Sequence, residues 1–418
     1  MTFLSVAFAA LAAVPAVQDA EPRAWTIQAE RIYTGTGRNL EKGLVVVSAG
    51  KIAAVTVGAD EQSDHPKDSL RAYAVTAGLV DAGVRVTNWF SVEQSKEVTP
   101  QLRVADTLDP YALDWERQLR GGVTTVLASP IDRNVIGGLS VVLKTAGPES
   151  IAARTLKADA VLRGSMGSDP SAGNHPAFGR PTDFYSRRPT TRMGVEWEWR
   201  NAFFNTALGL NEKDPGRATL MAALQGKLPV FVQAWTTQDI RTAVFLREEV
   251  QSRPEFAAAG MNTPRFVIDA GAEAWKEPQL LARSQTAVVL PPFPAGGRTR
   301  ENALMAWNVA KILADEGVPF ALSSHGSGDV DQRLSNQAGY AMAGGLTFEQ
   351  ALAAVTSTPA KLLGVESRVG TLEVGKDADL VLWSGEPFQP GARVVATIVD
   401  GVLRYEGWNA VQGAAVAR

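Results

Sequence analysis

The sequence predicts a (β/α)8 barrel of the TIM type, joined to a small β-sandwich domain that both chain ends build together. Three observations predict it. Both ends carry strand-like alternation, the long middle alternates short apolar runs with helix-like stretches, and 418 residues are enough for a barrel plus one smaller unit. A doubly wound open sheet is the structural alternative. No glycine-rich phosphate loop follows the first strand of the middle region, so nucleotide binding has no support.

The chain opens on an apolar stretch from Phe3 to Val17, too short for a comfortable membrane span, with small residues at Val14-Pro15-Ala16. This predicts a signal peptide over residues 1–20 and a periplasmic or secreted mature protein, although no Lys or Arg precedes the apolar run. A buried N-terminal helix is the competing reading. From Trp25 to Val57 apolar and polar residues alternate, and Ala49-Gly50-Lys51 reads as a hairpin turn. Residues 21–77 are therefore assigned to the first part of the β domain. Ala378 to Trp383 and Ala396 to Gly401 repeat the signature, which gives residues 368–418 as the second part.

Between them, residues 78–367 read as the barrel. Its strand runs are Gly78–Asp81, Val123–Leu127, Ala160–Leu162, Pro229–Val232, Phe266–Asp269, Ala287–Leu290 and Phe320–Leu322, with one strand not assigned. Helical patterns intervene at Gln238–Glu249, Glu301–Glu316 and Thr347–Thr356.

Composition excludes several function classes. A formal net charge of -3 provides no global field for nucleic acid or anionic membrane. The absence of cysteine removes disulfides, thiolate metal sites and cysteine nucleophiles together. No later segment holds an apolar run long enough to span a bilayer. No Gly-x-Ser-x-Gly elbow is present, and Ser323 and Ser324 beside His325 are sequence neighbours, which does not make a triad.

Three motifs carry a family resemblance. Thr358-Pro359-Ala360-Lys361-Leu362-Leu363-Gly364, Val369-Gly370-Thr371-Leu372 and Gly375 to Trp383 together resemble the C-terminal passage of the amidohydrolase superfamily. Gly78-Leu79-Val80-Asp81 resembles that family's first barrel strand, and Gly121 to Val126 its second. Pro189 to Gly194 and Asp239-Ile240 are closest to the imidazolonepropionase-like group. The resemblance implies hydrolysis of C–N bonds, and sometimes C–O or P–O bonds, with one or two divalent metals. A bound cation lowers the pKa of water from 15.7 to about 7, and imidazoles and carboxylates at strand ends hold that cation.

This chain departs from the pattern at each of those positions. The family's His-x-His pair is implied at Gly83 and Arg85, and later histidines at Gln233, Trp235 and Ala270. The general-base aspartate is implied at His325. Glycine offers no ligand, and an arginine cation repels a metal. The expectation is a degenerate site with no metal and no other cofactor.

The chain has three histidines. His65 lies in a polar loop and reads as solvated. His175 sits in a long polar segment expected to overhang the barrel mouth, and His325 ends the last strand. His175, His325 and Asp81 are the weak catalytic candidates, while Arg85, Arg192, Gln233, Trp235 and His325 are the candidates for substrate contact. Asp269, Glu273, Asp329 and Asp331 could approach the same rim, although strand capping is the simpler role for carboxylates such as Asp81. Lys144 could imitate the carboxylated lysine of some family members, but an edge-strand or surface lysine fits it better. Trp89, Trp115, Trp197, Trp199, Trp235 and Trp275 suit a pocket, a partner face or helix packing.

Two functions are compatible with this reading. One is a metal-free pseudo-hydrolase that binds a small-molecule ligand, or that forms a homo-oligomer or a hetero-oligomer with an active amidohydrolase. The other is an active hydrolase of non-peptide or cyclic amides. There Asp169, His175, Arg180, Arg187, Arg188 and Arg192 would line a polar mouth and grip a carboxylate-bearing substrate.

Overall fold

The computed structural model describes residues 24–58, 69–85, 92–172, 174, 188–294, 301–326 and 332–407. The expected signal peptide, His65, Trp89, His175, Arg180, Arg187, Asp329 and Asp331 lie outside the described residues.

Strand alternation at the two ends folds as read. Strands β1 (Trp25–Tyr33), β2 (Asn39–Ser48), β3 (Lys51–Val57) and β4 (Ser69–Ala77) form one part of a sheet. Its strand order is β15-β14-β13-β4-β1-β2-β3, and the other part comes from the far end of the chain. Those strands are β13 (Leu380–Trp383), β14 (Val394–Val399) and β15 (Val402–Glu406). All seven strands are hydrogen-bonded in one sheet that folds back on itself. The indole of Trp25 donates to the Gly401 carbonyl at 2.8 Å, and Lys51 bridges to Asp377, enclosing Ile27, Ile32, Val45, Val75, Leu380 and Ile398. The Ala49-Gly50 turn between β2 and β3 has positive φ at both residues, the twist a two-residue hairpin requires.

A second sheet of eight strands forms the barrel. Its strands are β5 (Leu79–Arg85), β6 (Val123–Ser129), β7 (Ile136–Lys144), β8 (Thr155–Ser165), β9 (Val230–Gln233), β10 (Phe266–Asp269), β11 (Ala287–Leu290) and β12 (Phe320–Leu322). They neighbour one another in chain order, and the Asp81 carboxylate joins β5 to the residues after β12 across the seam. The strand missing from the sequence reading is β7, and it runs antiparallel to both neighbours. The link from Ser129 to Ile136 is too short for the crossover of a dozen or more residues that parallel pairing needs.

The helices are α1 (Leu113–Arg120), α2 (Ile151–Arg154), α3 (Arg192–Ala207), α4 (Arg217–Leu224), α5 (Thr237–Ser252) and α6 (Pro254–Ala258). After them come α7 (Pro278–Arg283), α8 (Val309–Asp315), α9 (Leu334–Ala343), α10 (Phe348–Ala354) and α11 (Ser357–Leu363). Thr347 starts α10 with a reciprocal capping box to Gln350. The pattern at Glu301–Glu316 yields helix only from Val309 onward. No helix among the described residues is long and apolar enough to cross a membrane.

Period-two alternation sorts the strand residues into two layers. Val80, Leu127, Val142, Val161, Phe231, Val267, Val289 and Ala321 fill the barrel interior, with Ala360 and Leu363 of α11 packed beneath them. Their neighbours Val126, Leu162, Val230, Val232, Ile268, Val288 and Leu322 face the helices, beside Trp115, Trp199 and Phe203. Trp197 is exposed instead, and the half-buried Trp275 donates to the Leu304 carbonyl.

Lys144 corrects the expectation of a surface lysine, being 2% exposed. Because β7 is antiparallel, its last residue emerges where the parallel strands begin, against the small sheet. There its ammonium meets Asp379 at 2.6 Å, Asp377 at 3.0 Å and Asp400 at 3.2 Å. Beside it the Gly78 amide donates to the Asp379 carbonyl, so one cation ties barrel to sheet.

Candidate functional site

The mouth is assembled by strand parity. Arg163 follows the interior residue Val161 by two, Gln233 follows Phe231, Asp269 follows Val267, and Ser323 follows Ala321. Each points into the same space at the C-terminal ends of the strands, the place where barrel folds keep their chemistry.

Four charges occupy that space in a closed ring. Arg85 donates through Nε to Asp132 at 2.5 Å and through its amino group to Asp269 at 2.8 Å. Arg163 donates twice to Asp132, at 2.9 and 2.5 Å, and also to Asp269. Ser165 adds a hydroxyl to Asp132. Arg163 and Asp269 are 1% and 0% exposed and Arg85 and Asp132 12% and 9%, so the pairing stands in for most of the solvent. Burial opposes ionisation of Asp132 and Asp269, but Arg163 and Arg85 outweigh it and hold both carboxyls below the usual carboxylate range. Burial likewise disfavours the Arg85 cation, yet Asp132 and Asp269 leave its pKa raised. The two charges of each sign cancel within the ring.

His325 packs against this ring. Its Nε2 stands 3.6 Å from Asp269 and makes no hydrogen bond among the described residues, and its ring meets Trp235 edge-on at 5.8 Å. Burial holds its pKa below the ordinary value and the Arg85 cation adds to that, so it is neutral at neutral pH. His325 and Ala270 both have positive φ, a strained choice for non-glycine residues next to a site. Asp81 lies under His325, accepting from the Ser323 hydroxyl at 2.7 Å, the Ser324 hydroxyl at 2.6 Å and the Ser324 and Gly83 amides. Its oxygens are thus occupied in closing the barrel seam.

The donor set does not fit a catalytic metal. No group of three or more His, Cys, Asp or Glu side chains among the described residues could hold a metal ion. A Cβ on Gly83 would sit 2.5 Å from the Ser323 hydroxyl, so the space of the first implied histidine is already filled. At the second, Arg85 supplies a cation where a ligand lone pair would be needed.

The other candidates are placed around this centre. Gln233 donates to Asp169, whose carboxyl burial pushes up. Arg192 opens α3 and pairs with Asp239 and Glu301, and those partners raise its pKa. Its guanidinium is therefore already engaged. An open groove of about 790 Å³ runs past it, bordered by Thr237, Glu273 and Lys276. Sequence reasoning missed Arg163 and Asp132. A charge two residues beyond a valine in an otherwise apolar strand was the available signal for Arg163; Asp132, in the β6–β7 loop, carried none.

The ring makes stability pH-dependent with one sign. Asp132, Asp269 and His325 all have lowered folded pKa values, so the unfolded chain binds the extra protons and each contribution is lost as pH falls. The His325 contribution should be complete above its unfolded value of 6.5 and decline below it. The carboxylate contributions should follow below about pH 4. Urea midpoints between pH 8 and 3 should show both stages, and His325→Gln should remove only the first; a stability that rises on acidification would contradict the ring.

The amidohydrolase family pattern matches residues 318–405. An amidohydrolase of Hapsidospora irregularis, tasK, is 26% identical over 88% of this chain. The chain spans 39% of that relative's length. The imidazolonepropionase of Brucella suis is 49% identical over 41 residues, 10% of each protein. Among solved structures, an amidohydrolase from Thermotoga maritima MSB8 superposes with a TM-score of 0.79 at 27% identity, covering 91% of this chain and all of that one. A Xaa-Pro dipeptidase with bound methionine, at TM-score 0.52 and 16% identity over 92% of this chain and 100% of that one, shares the fold. The chain belongs to the amidohydrolase superfamily.

Proposed function

We propose that this chain is an exported, metal-free pseudo-hydrolase of the amidohydrolase superfamily that binds a small-molecule ligand or associates with an active relative. The observation that carries the reading is the Arg85–Asp132–Arg163–Asp269 ring. It fills the mouth with paired charge, and admitting a divalent cation would require separating two buried arginines from their carboxylates at a cost of several kcal/mol. The groove beside Arg192 remains open for a ligand.

Elemental mass spectrometry of the purified protein tests this. We expect less than about a tenth of an equivalent of transition metal, and no change in thermal midpoint on adding a chelator. Near-stoichiometric metal, or destabilisation by chelator, would overturn the reading.

One observation favours a second reading. His325 is a neutral imidazole whose Nε2 lacks a hydrogen-bond partner among the described residues, the state a general base requires. Amide or lactam turnover that survives chelator and disappears in His325→Ala would establish an active hydrolase in place of the pseudo-hydrolase.

A further inference from the structure

A separate cavity of about 300 Å³ opens where α1, the start of α9 and the β13–β15 part of the small sheet meet. It shares no residue with the barrel-mouth ring. Arg120 ends α1, Arg333 immediately precedes α9, and Arg393 immediately precedes β14; all three line the cavity, and no acidic residue among the described residues does. Among the described residues Arg120 is paired only with Glu116, one turn back on an exposed helix face, where solvent screens the attraction. Neither Arg333 nor Arg393 has an ion-pair partner among the described residues.

One hydroxyl of the wall is also unpaired among the described residues. Ser335 is 8% exposed, lines the cavity, and its hydroxyl makes no hydrogen bond among the described residues. It sits in the first turn of α9, a ten-residue helix without a side-chain cap, so its amide end adds partial positive charge. Trp383 and Tyr405 supply an aromatic wall. Three like charges around one cavity repel one another, and no lining residue among those described offsets them, although the chain as a whole is net negative.

We propose that this cavity binds a small phosphoryl-bearing molecule. The phosphate sits among Arg120, Arg333 and Arg393 and accepts from Ser335, while the rest of the molecule lies along Trp383 and Tyr405. A phosphomonoester has three terminal oxygens and close to two negative charges, enough to engage three guanidinium groups, whereas a carboxylate has two oxygens and one charge.

Isothermal titration of the full chain at low salt, with phenyl phosphate, inorganic phosphate and benzoate as probes, tests the site. Phenyl phosphate should bind at one site, inorganic phosphate more weakly, and benzoate weakest. Arg333→Gln and Arg393→Gln should each weaken phenyl phosphate by about tenfold, the loss expected for one charge-assisted contact. Arg241→Gln, which breaks an exposed pair with Glu277 elsewhere, should leave the affinity unchanged. Arg393 is exposed, so that variant tests the site even where Arg333→Gln perturbs folding. Absence of saturable binding, equal affinity in the arginine variants, or benzoate binding as tightly as phenyl phosphate would overturn the proposal.

Discussion

Replacing Arg163 with methionine should destabilise the protein by roughly 3–5 kcal/mol, the range for removing one member of a buried ion pair. The side chain is 1% exposed and donates to both Asp132 and Asp269. Its loss leaves Arg85 alone to neutralise two carboxylates in a largely buried space. The denaturant midpoint should fall with an unchanged slope, because the folded and unfolded surfaces stay alike. Arg163→Lys should recover only part of the loss, since an ammonium cannot reproduce the planar fork that reaches both carboxylates. Adding Asp132→Asn to Arg163→Met should cost much less than the sum of the two single changes, as expected for residues in direct contact. A loss below about 1 kcal/mol in Arg163→Met would mean that the ring is not what holds the mouth together.

The second large effect is expected at Lys144. Lys144→Met removes the one cation shared by Asp377, Asp379 and Asp400, and a cost of roughly 3–5 kcal/mol follows from the same reasoning. Asp377 keeps Lys51 and Arg368 as partners, so the burden falls on Asp379. Burial already pushes the Asp379 carboxyl up, and without Lys144 it should rise further. The penalty should therefore shrink as pH is lowered and Asp379 takes up a proton, the opposite of the acid sensitivity expected from the mouth ring. Chemical denaturation of the variant and parent at pH 8 and pH 5 separates the two effects. A penalty independent of pH would count against a charge-based role for Lys144.

These two clusters show where the sequence was informative. Seven barrel strands were legible because buried parallel strands read as short apolar runs, and Phe266–Asp269, Ala287–Leu290 and Phe320–Leu322 form at the predicted residues. Strand β7 was not legible as a barrel strand, since Gly137 and Gly138 interrupt its apolar run and nothing local fixes strand direction. Its reversal is what carries Lys144 to the small sheet instead of the mouth.

The positions implied by family resemblance, Gly83, Arg85, Gln233, Ala270 and His325, could be named from the sequence because ligands in such barrels follow strand ends. What those residues do instead could not. Arg85 and Asp269 are 184 residues apart, and Arg163 and Asp269 are 106 apart. Pairing over such separations depends on strand order and parity.

By itself, then, the sequence determined the barrel, the composite sheet and the scarcity of histidine and cysteine, because hydrophobic periodicity and residue inventory are local properties. Only the tertiary structure decided that two arginines and two aspartates close into a ring at the barrel mouth, and that Lys144 joins the two sheets. A buried charge is tolerable only beside its partner, and the partner is chosen by the fold.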